Sequence, residues 1–184
     1  MGENKKAQIW VETVIYTLIA ISLIAIVLSF AYPAINKQKD RAVVLSTIDA
    51  MTELDNNIRE IYRFGPGNKR QTLILINNGA LTINPSSDSI VFELEESAFE
   101  YSEAGRIINV SGTNIAALTE KKGDKFKITL SLNYNNLDIK YNSEQDLRAF
   151  TKSQNPYNIM AENKGRGASI PDSKIVIDLY EVSG

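Results

Sequence analysis

The chain has 184 residues, enough for one ordinary domain and a little more, and its 20 basic and 22 acidic residues leave a formal charge of −2. That balance argues against a nucleic-acid partner, which calls for a basic excess. The absence of cysteine and histidine excludes disulfide frameworks, cysteine nucleophiles, Ser-His-Asp catalysis and histidine-ligated zinc. Only carboxylate, Lys, Ser/Thr and Tyr chemistry remains. A non-enzyme with no cofactor is therefore expected.

Residues 1–7 are short and polar and carry Lys5 and Lys6. An apolar run follows, with Glu12 near its start. From residue 13 to residue 36 there is no charge, and most positions are Ile, Leu, Val, Ala or Phe. A helix of about twenty such residues spans a bilayer core of roughly 30 Å. Past Pro33 the pattern becomes amphipathic, with Val44, Ile48, Met51, Ile58 and Tyr62 on one face at helical spacing. The reading is one long helix within residues 8–64, bent near Pro33. Its half over residues 9–32 is apolar all round, and its second half has a single apolar stripe.

Phe64-Gly65-Pro66-Gly67-Asn68 ends the helix, and strands follow over residues 65–184. Residues 71–76 and 80–83 flank Asn77-Asn78-Gly79, a hairpin signal. Ile90, Phe92 and Leu94 alternate with more polar neighbours. Phe126, Ile128, Leu130, Leu132 and Tyr134 form the clearest inward face, and Asn135-Asn136 turns the chain into Leu137, Ile139 and Tyr141. Ile175, Ile177 and Leu179 make a last strand. Six to eight strands of this kind imply an antiparallel sheet or β-sandwich. The fold class is α+β: a long N-terminal helix, transmembrane and then amphipathic, packed on a β-rich head.

The segment Lys5-Lys6-Ala7-Gln8-Ile9-Trp10-Val11-Glu12, with the apolar run after it, resembles the class III signal peptide of archaeal type IV prepilins. In that family a membrane-embedded aspartyl prepilin peptidase cuts after a small residue that follows basic ones. The cut here would fall between Ala7 and Gln8, leaving residues 1–7 as the leader. Family members often have Gln first after the cut and Glu fifth, and the fifth residue from Gln8 is Glu12. The resemblance implies a structural subunit of a type IV pilus-like surface filament. The precursor would be a single-pass membrane protein with its N-terminus cytoplasmic, and the β-rich head would be extracellular. A pilus-assembly ATPase and a membrane platform protein would be partners, and the product would be a homopolymer used for adhesion. An archaellin-like motility subunit is the nearest alternative, and Glu12 favours the pilin.

The spacing also has a physical rationale. Cleavage on the cytoplasmic side leaves the apolar helix on the mature chain, whereas an ordinary secretory signal is cut on the other side and lost. Packing against identical helices then replaces lipid around it. Glu12 would enter a low-dielectric core, where an unpaired carboxylate is costly. The new amine at Gln8 of an adjoining subunit could pair with it and report axial register, as a specificity device more than a source of stability. Two other readings compete. One is an anchored extracellular binding domain that does not polymerise. The other is a conventional signal cut near Ser29-Phe30-Ala31, although the run exceeds the 7–15 residues usual for that apolar region. Lys5 and Lys6 do not fix topology by themselves, because Lys37, Lys39 and Arg41 stand across the span.

Weaker signals sit in the head. Asp55 falls within the apolar stripe, where it either fixes the docking of helix on sheet or lies at the stripe's edge stabilised by Arg59 one turn on. The segments from Gly65 to Arg70 and around Gly165-Arg166-Gly167 read as loops, the former lacking phosphate-loop spacing. Asn133, Asn135, Asn136 and Asp138 form an oxygen-rich turn without an EF-hand pattern, so no metal site is assigned. Glu93, Glu95, Glu96, Glu100 and Glu103 read as a solvated face. Asn109-Val110-Ser111 is a glycosylation sequon, and Asn84-Pro85-Ser86 is blocked by its proline. Trp10 reads as an interfacial anchor.

The cleavage motif has a direct test. Ala7→Leu should block processing, because only a small side chain fits beside the scissile bond. The chain should then run slightly larger on a gel and stay in the membrane. Normal maturation would remove the motif's support.

Overall fold

The computed structural model describes residues 3–166 and 174–182, with side chains from Ile9 onward. One α-helix, α1 (Glu3–Phe64), precedes ten strands among the described residues, with a short 3-10 helix at Pro85–Ser87. Pro33 lies inside α1 without ending it. The chain divides into two compact units, Met1–Lys39 and Asp40–Gly184.

In the second unit the strands form two sheets. The strands are β1 (Lys69–Ile74), β2 (Ala80–Asn84), β3 (Ser89–Ser97), β4 (Ile107–Asn109), β5 (Ala116–Lys122), β6 (Lys125–Asn133), β7 (Leu137–Tyr141), β8 (Arg148–Thr151), β9 (Tyr157–Arg166) and β10 (Ile175–Glu181). The four-stranded sheet has the order β1-β9-β10-β7, and the six-stranded sheet has the order β4-β5-β6-β3-β2-β8. All described pairings are antiparallel except β10 with β7. The expected inward faces are real: Ile90, Phe92, Leu94, Ile128, Leu130, Leu132, Tyr134, Leu137, Ile139, Ile177 and Leu179 are all buried.

The expected β1–β2 hairpin does not form. β1 pairs with β9 in one sheet, and β2 pairs with β3 and β8 in the other. The Asn77-Asn78-Gly79 turn is instead a crossing between sheets, and Asn135-Asn136 carries β6 into β7 in the same way. Turn residues specify that the chain reverses, not which sheet it joins. Inward alternation is satisfied on either sheet because both face one core. Gly79 is nevertheless obligatory. It has φ +83°, and a Cβ there would stand 2.5 Å from the Glu93 carbonyl oxygen and 2.8 Å from the Phe92 ring. A true two-residue hairpin lies at Gly123-Asp124, where Lys122 faces Lys125. Gly165 and Arg166, expected in a loop, are the end of β9 and pair with β10. Gly167 lies outside the described residues.

The C-terminal half of α1 belongs to the core of this unit. Val44, Ile48, Met51, Leu54, Ile58 and Ile61 are buried with the sheet residues in one cluster. Tyr62, expected in the stripe, is 39% exposed, and Ile61 takes the inward place. The stripe can continue from Ile58 by three residues or four, and the side chain without a polar tip goes inside. The helix ends at Gly65, which has φ +88° and whose N–H donates to the Ile61 carbonyl at 3.1 Å. Asn68 Nδ2 caps the carbonyls of Phe64 and Gly65 at 3.1 and 2.9 Å.

Polar contacts then fix where this half sits. Asn163 Nδ2 donates to the Ile61 carbonyl at 2.9 Å from within β9. Asn57 Nδ2 donates to the Gln71 carbonyl and to Thr72 Oγ1, at 3.3 and 2.9 Å, on β1. Arg70 holds both oxygens of Glu60 at 3.2 Å. Asp40 Oδ2 accepts the Ala98 N–H at 2.7 Å, beyond a bulge in β3. These contacts tie the helix to β1 at Arg70, Gln71 and Thr72.

A fragment beginning at Gln38 should therefore be soluble, monomeric and folded. Beginning at Phe64 instead removes six buried side chains, a loss on the order of 10 kcal/mol, comparable to the whole stability of a domain. That fragment should aggregate. Size exclusion and circular dichroism read both outcomes, and equal behaviour of the two would show that the stripe is not part of the core.

Candidate functional site

The first unit carries the candidate segment. From Ile9 to Ile35 the large apolar side chains are exposed, among them Trp10 at 70%, Tyr16 at 71% and Phe30 at 77%. The stretch is long and apolar enough to cross a membrane, and none of its most apolar window is buried. A monomeric surface in water does not carry a contiguous apolar patch of this size without a partner.

Its hydroxyls are internally satisfied. Thr13 Oγ1 donates to the Ile9 carbonyl, Thr17 Oγ1 to Thr13, Ser22 Oγ to Leu18 and Ser29 Oγ to Ile26, all at 2.7–2.9 Å. Back-bonding of this kind leaves little polar demand on whatever surrounds the helix. Glu12 is exposed on this half. The expected cleavage residues Lys5, Lys6, Ala7 and Gln8 lie within the helical backbone, and their side chains are outside the described residues.

Searches against family models, curated proteins and solved structures found no match. The remaining candidates are therefore read from geometry alone.

In the second unit Asp55 is 2% exposed and accepts from Arg59 Nε at 2.8 Å and Asn114 Nδ2 at 2.6 Å. It thus holds the helix to the β4–β5 loop, while Arg59, half exposed, neutralises its charge. The sequence signal was an acid inside an apolar stripe. The role of Asn114 had no signal, because it lies 59 residues away in the chain. Asp55 Oδ1 and the Tyr134 hydroxyl are both buried, and the phenol lies against this carboxylate without ideal hydrogen-bond geometry. Burial first, and then the neighbouring charge of Asp55, pushes the Tyr134 phenol well above its ordinary range. Arg59, Tyr62, Asn133, Tyr134, Asn136 and Leu137 line a small open pocket of about 80 Å³ beside this cluster.

The other sequence candidates are dispersed. Glu93 and Glu95 do not form a carboxylate pair free for catalysis. They flank Lys127 at 2.6 and 3.0 Å, and Lys122 reaches Glu95 at 3.2 Å. Asp138 accepts from Gln145 at 3.3 Å and faces Lys140 at 3.9 Å. Among the described residues no group of three or more acidic side chains is placed to hold a metal ion. Asn109 is exposed at the end of β4, an edge strand, and Ser111 is exposed in the turn after it, so the sequon is accessible.

Tyr134→Phe, made in the fragment starting at Gln38, should lower stability at neutral pH by about 1 kcal/mol, because it takes the phenol donor away from the buried Asp55 carboxylate. A raised phenol means that the folded state prefers the neutral form. That preference is fully present below the ordinary phenol value of about 10 and is lost as pH rises towards the folded value. The stability difference between variant and parent should therefore shift in favour of phenylalanine above about pH 10, read by urea unfolding across pH.

Proposed function

We propose that this chain is a pilin-like structural subunit of a cell-surface filament, held in the membrane before assembly and polymerising through the first half of α1. One observation carries the reading. The same helix is wholly exposed and apolar over its first half, and over its second half is a core element of a compact β-rich unit. An anchor that only tethered a domain would need no such continuity. A polymerising helix uses both halves, because one half packs into the polymer and the other belongs to the head. The class III-like motif around Ala7 and Gln8 supplies the second support. The head, after polymerisation, provides the outer surface for adhesion.

In this scheme prepilin peptidase frees the amine of Gln8, and the ATPase and platform protein drive extraction. Neighbouring helices then replace lipid around Ile9, Val14, Leu18 and the rest of the run. Glu12 is the only charged residue between positions 8 and 36. In a helix-packed core its carboxylate meets the amine of Gln8 on the adjoining subunit. That contact selects one axial register, since a helix slipped by a turn leaves the carboxylate desolvated without a partner. The competing reading is an anchored, monomeric extracellular binding domain, and sedimentable filaments containing the chain separate the two.

Glu12→Ala should leave processing intact, with the mature chain still beginning at Gln8, and reduce filament yield at least about tenfold, as loss of a buried charge partner would. Terminal sequencing and sedimentation of sheared cell-surface material give both readouts. Abundant filaments from the alanine variant would show that the charge is dispensable to assembly.

A further inference from the structure

The helix of the first unit is long and apolar enough for a bilayer, and exposed aromatic residues stand near both ends of its apolar run. Trp10 and Tyr32 are both exposed and twenty-two residues apart on a continuous helix. At 1.5 Å per residue their Cα atoms are separated by about 33 Å, against a hydrocarbon thickness of roughly 30 Å. Twenty-two residues is close to six whole turns, so the two rings also leave the helix on the same side. Outside this pair the nearest charges are Lys6, four residues before Trp10, and Lys37, five residues after Tyr32. The order along the helix is cation, aromatic ring, apolar run, aromatic ring, cation. Trp and Tyr favour the boundary between hydrocarbon and headgroups, with lysines just beyond it.

We infer that before assembly the helix takes one register in a lipid bilayer, with Trp10 at one interface and Tyr32 at the other. This rests on the membrane-resident stage proposed above and makes it specific. Glu12 then lies about 3 Å along the axis inside Trp10. Helical side chains lean towards the N-terminus, so its carboxylate reaches the headgroup layer and keeps its hydration. Tyr16, a further turn in, leans the same way and brings its hydroxyl towards that surface. The four Ser and Thr hydroxyls that remain at hydrocarbon depth are those bonded to the helix's own carbonyls. The polar groups of the span are thus either at a surface or satisfied within the helix. The cost of burying Glu12 arises when the helix leaves lipid, which places register selection at assembly and not in the membrane.

Trp10 is the only tryptophan, so the full chain carries its own depth probe. The experiment reconstitutes it in phosphatidylcholine vesicles containing lipids that quench tryptophan from a shallow or a deep acyl position. The same is done for Trp10→Phe/Tyr32→Trp and for Trp10→Phe/Ile21→Trp, whose probe is midway along the span. Shallow lipids should quench best in the parent and at position 32, and the order should reverse at position 21. Deep quenching at position 10 or 32, with position 21 also deep, overturns the register while leaving a membrane span in place. Quenching by neither lipid in any of the three overturns the bilayer as occupant of this helix and the membrane-resident stage with it. Filament formation with failed Trp10 or Tyr32 depth would separate the register from the assembly reading.

Discussion

Everything in this chain follows from one helix having to satisfy two different surroundings. Over its first half no face is polar, so no orientation makes it compatible with water. Over its second half a stripe of Val44, Ile48, Met51, Leu54, Ile58 and Ile61 shares one buried core with the strands. The sheets pack against that stripe, and Asn57 and Glu60 bind β1 at Gln71 and Arg70. Neither half is decoration on the other.

The division of α1 was legible because the two halves differ in periodicity, and periodicity is a local property. Alternation of strand residues was legible for the same reason: Ile128, Leu130 and Leu132 could only face one side. Partner choice was not. A turn at Asn77-Asn78-Gly79 looked like a hairpin because both flanking segments alternate, yet the chain there leaves one sheet for the other. The information that decides the pairing lies in β9, more than seventy residues downstream. Tyr62 and Ile61 illustrate a finer limit. Both satisfy helical spacing, and only the packed core selects between them.

Among the site residues, Asp55 was visible as an acid out of place in an apolar stripe, but its two readings could be separated only by its burial and by Asn114. That cluster sits where α1 meets the connections of the six-stranded sheet. It includes the buried Tyr134 phenol beside the buried Asp55 carboxylate, whose charge the phenol faces. The proposed cleavage motif at the other end is legible only by resemblance, since nothing in this fold bears on it.

The way the head is attached has a mechanical consequence. A tether joined to a domain by a loop transmits tension to one point at the surface and can peel strands off singly. Here tension carried into the second half of α1 enters the interior directly. To release it, the six stripe residues have to slide past the sheets together, along with the Asp40, Asp55, Asn57, Glu60 and Asn163 contacts. Loading in shear distributes force over many weak contacts in parallel, whereas peeling breaks them one at a time.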